Sequence, residues 1–208
     1  NVASVRPLEP RQKAIIVGAS SGIGEALARR LANEGYVLAL LARRSDRLQH
    51  ICDEINIAGS GQARAYAHDV LETDKVLPLY QKVASELGGL DLFVYAAGMM
   101  FPINHNVYDS DQDSMVIQVN LVGMMAWVNV VAERFLCAGE GHIVGVGSIA
   151  GCRGRRGALS YAASKSGLHT YLEGLRNRIT RHGVTVTTVV PGQVETDMLK
   201  NADKVRGP

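Results

Sequence analysis

Short apolar runs alternate with helical patterns along almost the whole chain, and that alternation dictates a fold class. Residues 13–18 (KAIIVG) are apolar after a polar lead, and Ile23, Leu27 and Leu31 then carry helical spacing over 23–33. Residues 36–42 (YVLALLA) form a second run, followed by a helix over 45–58 with Leu48, Ile51, Cys52 and Ile55 on one stripe. A third strand is predicted over 63–67, a helix over 73–87 that Pro78 is expected to bend, and a fourth strand over 90–96. A long helix over 114–137, a fifth strand over 142–146, a second long helix over 160–181 and a β-branched sixth strand over 184–190 complete the pattern. Several strands are apolar without alternation, as strands are when helices cover both faces. Repeated β–α alternation then implies a parallel sheet with right-handed crossovers. The predicted fold is a single doubly wound α/β domain with helices on both faces. With 208 residues, one domain is the natural size. Its expected extent is 13–208, after a polar N-terminal extension over 1–12.

Composition narrows the function classes. The chain is 47% hydrophobic, too apolar for dominant disorder. Its 22 Lys plus Arg face 20 Asp plus Glu, a net charge of +2 that gives no support to nucleic-acid or acidic-membrane binding. Cys52, Cys137 and Cys152 are widely spaced, so reduced, buried thiols in a cytoplasmic protein are expected rather than a disulfide or zinc framework. The scattered histidines give no sequence support for a metal site. Residues 115–132 carry no charge, but Gln118, Asn120 and Asn129 fall among them, so a buried helix is expected rather than a lipid span. The start of the chain does not read as a signal peptide.

The first strand runs into Gly18-Ala19-Ser20-Ser21-Gly22-Ile23-Gly24, where a helix begins. Glycines permit a tight turn and close backbone approach, and a helix N-terminus offers free N–H groups and partial positive charge. Together they suit a pyrophosphate. A Walker loop is excluded because no Lys follows the last glycine. The same segment also fits G-x-S-x-G, the elbow of a serine hydrolase with Ser20 as nucleophile, although no earlier strand–helix loop would supply the second oxyanion donor. At the end of the second strand, Ala42 stands where an acid would bind the ribose hydroxyls of NAD, followed by Arg43 and Arg44. Cationic forks suit the 2′-phosphate of NADP; the plain reading is two solvated arginines opening a helix.

Tyr161 and Lys165 lie four apart on a predicted helix, sharing a face. A neighbouring ammonium favours the phenolate and is expected to lower the Tyr161 pKa, though taken alone such a pair is common on helix surfaces. Ser148 follows the fifth strand, at the sheet edge where open α/β folds bind ligands. Asn120 falls inside an apolar helical stretch, where an amide is costly to bury without a partner.

These residues, in this order, resemble the short-chain dehydrogenase/reductase family over nearly the whole chain. The resemblance rests on Gly18, Gly22 and Gly24, on Asp69-Val70, on Ala97-Gly98, on Asn120, Ser148, Tyr161 and Lys165, and on Pro191-Gly192 with Thr196. It implies a Rossmann domain that transfers a hydride between NADP(H) and a small carbonyl or alcohol substrate, as a carbonyl reductase or alcohol dehydrogenase. Tyr161 would be the acid/base, Lys165 would hold the nicotinamide ribose, Ser148 would bond the substrate oxygen, and Asn120 would join Lys165 in a proton relay through a water. Gly18, Ser20, Ser21, Gly22, Ile23 and Gly24 would cradle the phosphates, with Arg43 and Arg44 beside them. Asp69 and Val70 would contact the adenine and Ala97-Gly98 would pass beside the cofactor. Pro191, Gly192, Val194 and Thr196 would cover the nicotinamide. A homodimer or homotetramer built on the two long helices is implied too.

Three departures from the family pattern stand out. Val17 replaces a usual Thr, and Tyr95-Ala96-Ala97-Gly98 replaces Asn-Asn-Ala-Gly, both expected to weaken a supporting bond between strands. The chain also ends 17 residues after Pro191, so the substrate-covering segment is expected to be truncated. Two alternatives remain open: a non-catalytic sensor of NADP(H), and the Ser20 hydrolase. The loop Cys152-Arg153-Gly154-Arg155-Arg156-Gly157 either holds an anionic substrate through Arg155 or Arg156 or is a solvated basic loop. Met99, Met100 and Phe101 are either a pocket wall or core packing.

Overall fold

The computed structural model describes residues 12–102, 108–154 and 156–196. Six parallel strands form one sheet in the order β3-β2-β1-β4-β5-β6: β1 (Lys13–Val17), β2 (Val37–Ala42), β3 (Gln62–Ala67), β4 (Leu92–Tyr95), β5 (Gly141–Val146) and β6 (Val184–Val189). The helices are α1 (Gly22–Asn33), α2 (Ser45–Ala58), α3 (Val76–Leu87), α4 (Ser110–Ile117), α5 (Gly123–Ala138) and α6 (Leu159–Ile179). This is the α/β, doubly wound arrangement expected. The reason β1 reads as a continuous apolar run is visible in its side chains. Ile15 and Val17 enter a core layer with α3, α5 and α6, while Ala14 and Ile16 enter the opposite layer with α1 and α2. The strand order reverses beside β1, between β2 and β4, so the chain leaves β1 and β4 toward helices on opposite faces and a crevice opens at the carboxyl edge.

Several boundaries differ from the sequence reading for local reasons. Pro78 does not bend a helix mid-course. A 3₁₀ turn over Thr73–Lys75 precedes α3, so Pro78 falls in the first α-helical turn, where few N–H groups have a partner to lose. The long helix begins at Ser110 rather than 114, because the Asp109 carboxylate accepts from the N–H groups of Asp111 and Gln112 and caps it. It is also interrupted: a π turn over Gln118–Val122 joins α4 to α5. The helical run Ser110–Ala138 is long and apolar enough to cross a membrane by length and composition, but Met124, Trp127, Val128, Val131 and Phe135 are buried in the core layer it shares with the sheet. The cysteines are not all buried: Cys52 is, whereas Cys137 and Cys152 are exposed.

Candidate active site

A cavity of about 570 Å³ opens at the carboxyl ends of the strands and receives residues from both sides of the β1/β4 crevice. The turn after β1 supplies Gly18, Ser20, Ser21, Gly22 and Ile23, and the turn after β4 supplies Ala97 and Gly98. Gly18 has φ +89°, and a Cβ there would lie 2.4 Å from the Ala97 nitrogen, so only glycine lets the two turns meet. Gly24 does not line the cavity: a Cβ there would lie 2.2 Å from the Gly18 carbonyl oxygen, so it serves the packing of α1 on the turn.

Ser21 stands at the N-cap of α1, yet its side chain caps nothing. Its hydroxyl accepts from Arg44 Nη2 at 2.6 Å, and Ser20 accepts from the same guanidinium at 3.0 and 3.2 Å. The first N–H groups of α1 are thereby left for an anion, with a cation fixed beside them. Arg43 and Ala42 also line this end, so no carboxylate stands where Ala42 does. A glycine cradle, a helix terminus without a side-chain cap and a tethered guanidinium together fit the phosphates of a nicotinamide dinucleotide. They do not fit a nucleophile at Ser20, because accepting from a guanidinium lowers the basicity of its oxygen when a nucleophile needs it raised. After β3, Asp69 and Val70 line the wall, joined by His68, whose Nε2 accepts from buried Trp127 Nε1 at 3.1 Å.

The catalytic candidates converge at the other end. Ser148, Tyr161 and Lys165 line the same cavity, as do Pro191, Gly192, Val194 and Thr196 after β6. Ser148 Oγ accepts from the Ala150 N–H at 3.1 Å, which leaves the hydroxyl proton free to donate, and the hydroxyl stands close enough to the Tyr161 phenol to favour the phenolate. The expected lowering of the Tyr161 pKa is not found. Burial raises it above the ordinary phenol value, and the nearby Ser148 hydroxyl pulls only partly the other way. Lys165 Nζ donates instead to the Val146 carbonyl at 2.7 Å and sits 5.9 Å from the Tyr161 ring centroid. Almost fully enclosed, the ammonium is pulled down to about 8 by burial.

Asn120 is completely buried behind this wall, in the π turn. Its Oδ1 accepts from the Met99 N–H at 2.7 Å, and its Nδ2 donates to the Met99 carbonyl and to Ser164 Oγ, each at 3.0 Å. Ser164 Oγ in turn donates to the Tyr161 carbonyl at 2.8 Å. Asn120 thus ties the β4 turn to the helix that carries Tyr161 and Lys165. Met100 lines the main cavity, while Met99 packs against the core. Phe101 and Arg156 line a second cavity of about 650 Å³ on the far side of Tyr161; Arg155 lies outside the described residues.

Sequence reasoning missed three supporting residues, His68, Ser164 and His169, and read Tyr95 only as a departure from the family pattern. Ser164 lay between Tyr161 and Lys165 and could have been noticed. Tyr95 donates its hydroxyl to the Val119 carbonyl at 2.6 Å, so this departure from the family pattern brings a bond of its own to the π turn.

Comparison with known proteins agrees with this geometry. A family model described as short chain dehydrogenase matches residues 12–207. An uncharacterized oxidoreductase of Staphylococcus saprophyticus is 31% identical over 190 residues, covering 91% of this chain and 81% of the relative. Among solved structures, a variant of actinorhodin polyketide ketoreductase with NADPH superposes with a TM-score of 0.84 at 32% identity, over 94% of this chain and 74% of that one. An NAD⁺-bound xylitol dehydrogenase superposes with a TM-score of 0.80 at 26% identity, over 88% and 71%.

Proposed function

This chain belongs to the short-chain dehydrogenase family, and starting from that membership we propose that it is an NADP(H)-dependent oxidoreductase interconverting a small carbonyl compound and its alcohol. The observation that carries the reading is the convergence on one cavity of Ser148, Tyr161 and Lys165 with the α1 terminus and its Arg44 clamp. The nicotinamide cofactor, when bound, supplies or accepts the hydride. Gly18 to Ile23 would hold its pyrophosphate, Arg43 and Arg44 its 2′-phosphate, Asp69 and Val70 its adenine side. Ala97-Gly98 and the segment from Pro191 to Thr196 would flank the nicotinamide.

In the reduction direction the Ser148 hydroxyl, which accepts from the Ala150 N–H, donates to the substrate oxygen, because a carbonyl oxygen can only accept. Tyr161 gives the proton to that oxygen as negative charge develops, and takes it back in the oxidation. Lys165 brings a positive charge to the phenolate left behind and would hold the ribose hydroxyls. Asn120, braced by Met99 and Ser164, fixes the helix turn behind Lys165 for the proton relay. A homodimer or homotetramer built on the long helices belongs to the same reading; Met115 and Leu136 there remain about 40% exposed. Three free thiols suit a reducing cytoplasm.

The test is NADPH oxidation with a panel of ketones and aldehydes, run on the wild type and on Tyr161→Phe. The substitution should lower turnover by about 10²–10⁴-fold, the usual weight of a general acid, while NADPH binding is kept. A Tyr161→Phe protein as active as wild type overturns Tyr161 as the acid/base, and a wild type that binds NADPH and reduces no member of the panel overturns the enzyme in favour of a sensor.

A further inference from the structure

Ser148 is anchored at three backbone-linked points, and one of them reaches back to the catalytic helix. Its carbonyl accepts from the Gly151 N–H at 2.9 Å and its Oγ from the Ala150 N–H at 3.1 Å. The neighbouring N–H groups turn to the β6 side: Gly147 donates to the Val189 carbonyl at 2.7 Å and Ile149 to the Pro191 carbonyl at 3.0 Å. The Ser148 N–H points elsewhere and donates to Nε2 of His169 at 3.3 Å. His169 follows Lys165 by four residues and Tyr161 by eight on α6, so all three share a helix face.

The imidazole sits in a slot shaped for it. A Cβ on Gly147 would lie 2.2 Å from Nε2, and a Cβ on Gly151 would lie 2.9 Å from Cε1 and closer still to the α6 backbone, at 2.7 Å from the Lys165 carbonyl carbon. Gly147 therefore leaves room for the ring itself, and Gly151 lets the Ser148 loop pack against the α6 backbone beside it. We infer that His169 is a positioning residue for the proposed reaction: by accepting the Ser148 N–H it fixes the backbone that holds the Ser148 hydroxyl in the cavity it shares with Tyr161. This rests on the reading of Ser148 as the group that orients the substrate oxygen. To accept, Nε2 must be unprotonated, with the ring proton on Nδ1. Burial and the charge of Lys165 both push the His169 pKa down, which keeps the ring in that form. Without the acceptor, a partly buried N–H is left unmet at the hinge of a side chain whose reach to the substrate tolerates little displacement.

The test uses two substitutions and two readouts. His169→Gln places an amide oxygen at similar reach; His169→Phe keeps a ring and removes the acceptor. NADPH oxidation is followed with acetophenone, cyclohexanone and ethyl acetoacetate, and the ¹⁵N–¹⁵N coupling across the hydrogen bond between Ser148 N and His169 Nε2 is sought by NMR in the wild type. The expected result is a measurable coupling, with kcat reduced about tenfold to a hundredfold in His169→Phe at unchanged KM for NADPH. His169→Gln should recover to within about threefold of wild type. Equal losses in both substitutions, a His169→Phe kcat equal to wild type, or no coupling at His169 Nε2 overturns the inference. A wild type that reduces none of the three ketones defeats the reading of the site instead, and the coupling then decides alone whether His169 holds Ser148. If His169→Phe does not fold, the coupling and the kcat of His169→Gln decide.

Discussion

Deleting one buried hydroxyl, Tyr95→Phe, tests how the break in the long helix is held. Tyr95 ends β4 and has no exposed surface. Its Oη donates to the Val119 carbonyl at 2.6 Å, inside the π turn that also carries Asn120. Burial holds the phenol pKa far above its ordinary value, so the donor is present at every working pH. Removing it costs about 1–3 kcal/mol, the upper end applying if the carbonyl finds no other donor. Unfolding entropy is about 2.1 cal/mol/K per residue, so a chain of 208 residues loses roughly 2–7 °C of Tm. Thermal melts by circular dichroism should show that drop, and urea unfolding should show a lower midpoint with unchanged slope. The neighbouring glycine supplies a second arm. In an ordinary helix interior Gly→Ala gains about 1 kcal/mol, but a Cβ on Gly123 would lie 2.9 Å from Tyr95 Oη and 2.9 Å from the Val70 carbonyl, so Gly123→Ala should destabilise. A Tyr95→Phe protein as stable as wild type, or a stabilising Gly123→Ala, would refute the argument that this hydroxyl occupies and secures the turn.

Two further predictions concern charge. Burial holds the Lys165 ammonium at about 8 in the folded protein, against about 10.4 in an unfolded chain. Between those values the unfolded state binds the extra proton, so wild-type stability should rise with pH relative to Lys165→Met over that window; a pH-independent difference in urea unfolding contradicts it. Arg44→Ala, which removes a charge-assisted donor, should weaken NADPH binding about tenfold or more by isothermal titration. NADH binding should change little, and an equal loss on both cofactors would mean that Arg44 only braces Ser20 and Ser21.

What the sequence made legible was what is local or doubly buried. Ile15 and Val17 point into one layer and Ala14 and Ile16 into the other, so β1 reads as a strand covered on both sides. The glycine turn and the Tyr161–Lys165 spacing are readable because their geometry is set within a few residues. The rest depends on partners far along the chain. Tyr95 meets Val119 across 24 residues and His169 meets Ser148 across 21, and no periodicity announces either. The π turn is hidden for the same reason, since its amide is satisfied by Met99 and Ser164 rather than by neighbours in the helix. The expected lowering of the Tyr161 pKa failed because spacing alone placed an ammonium nearby, whereas the folded chain sends Lys165 to the Val146 carbonyl and surrounds the phenol with protein. The exposed thiols of Cys137 and Cys152 similarly reflect where helix ends and loops emerge.

A thermal-shift titration with NADPH and NADH in parallel tests the proposed chemistry at its root. A ligand at a hundredfold excess over its Kd stabilises the folded state by about 2.7 kcal/mol, roughly 6 °C for a chain of this size. A preference for NADPH should appear as a larger shift at equal concentration, about 3 °C for each tenfold difference in Kd. That result is what the glycine cradle, the α1 terminus and Arg44 predict. A larger shift with NADH, or none with either cofactor, would contradict it.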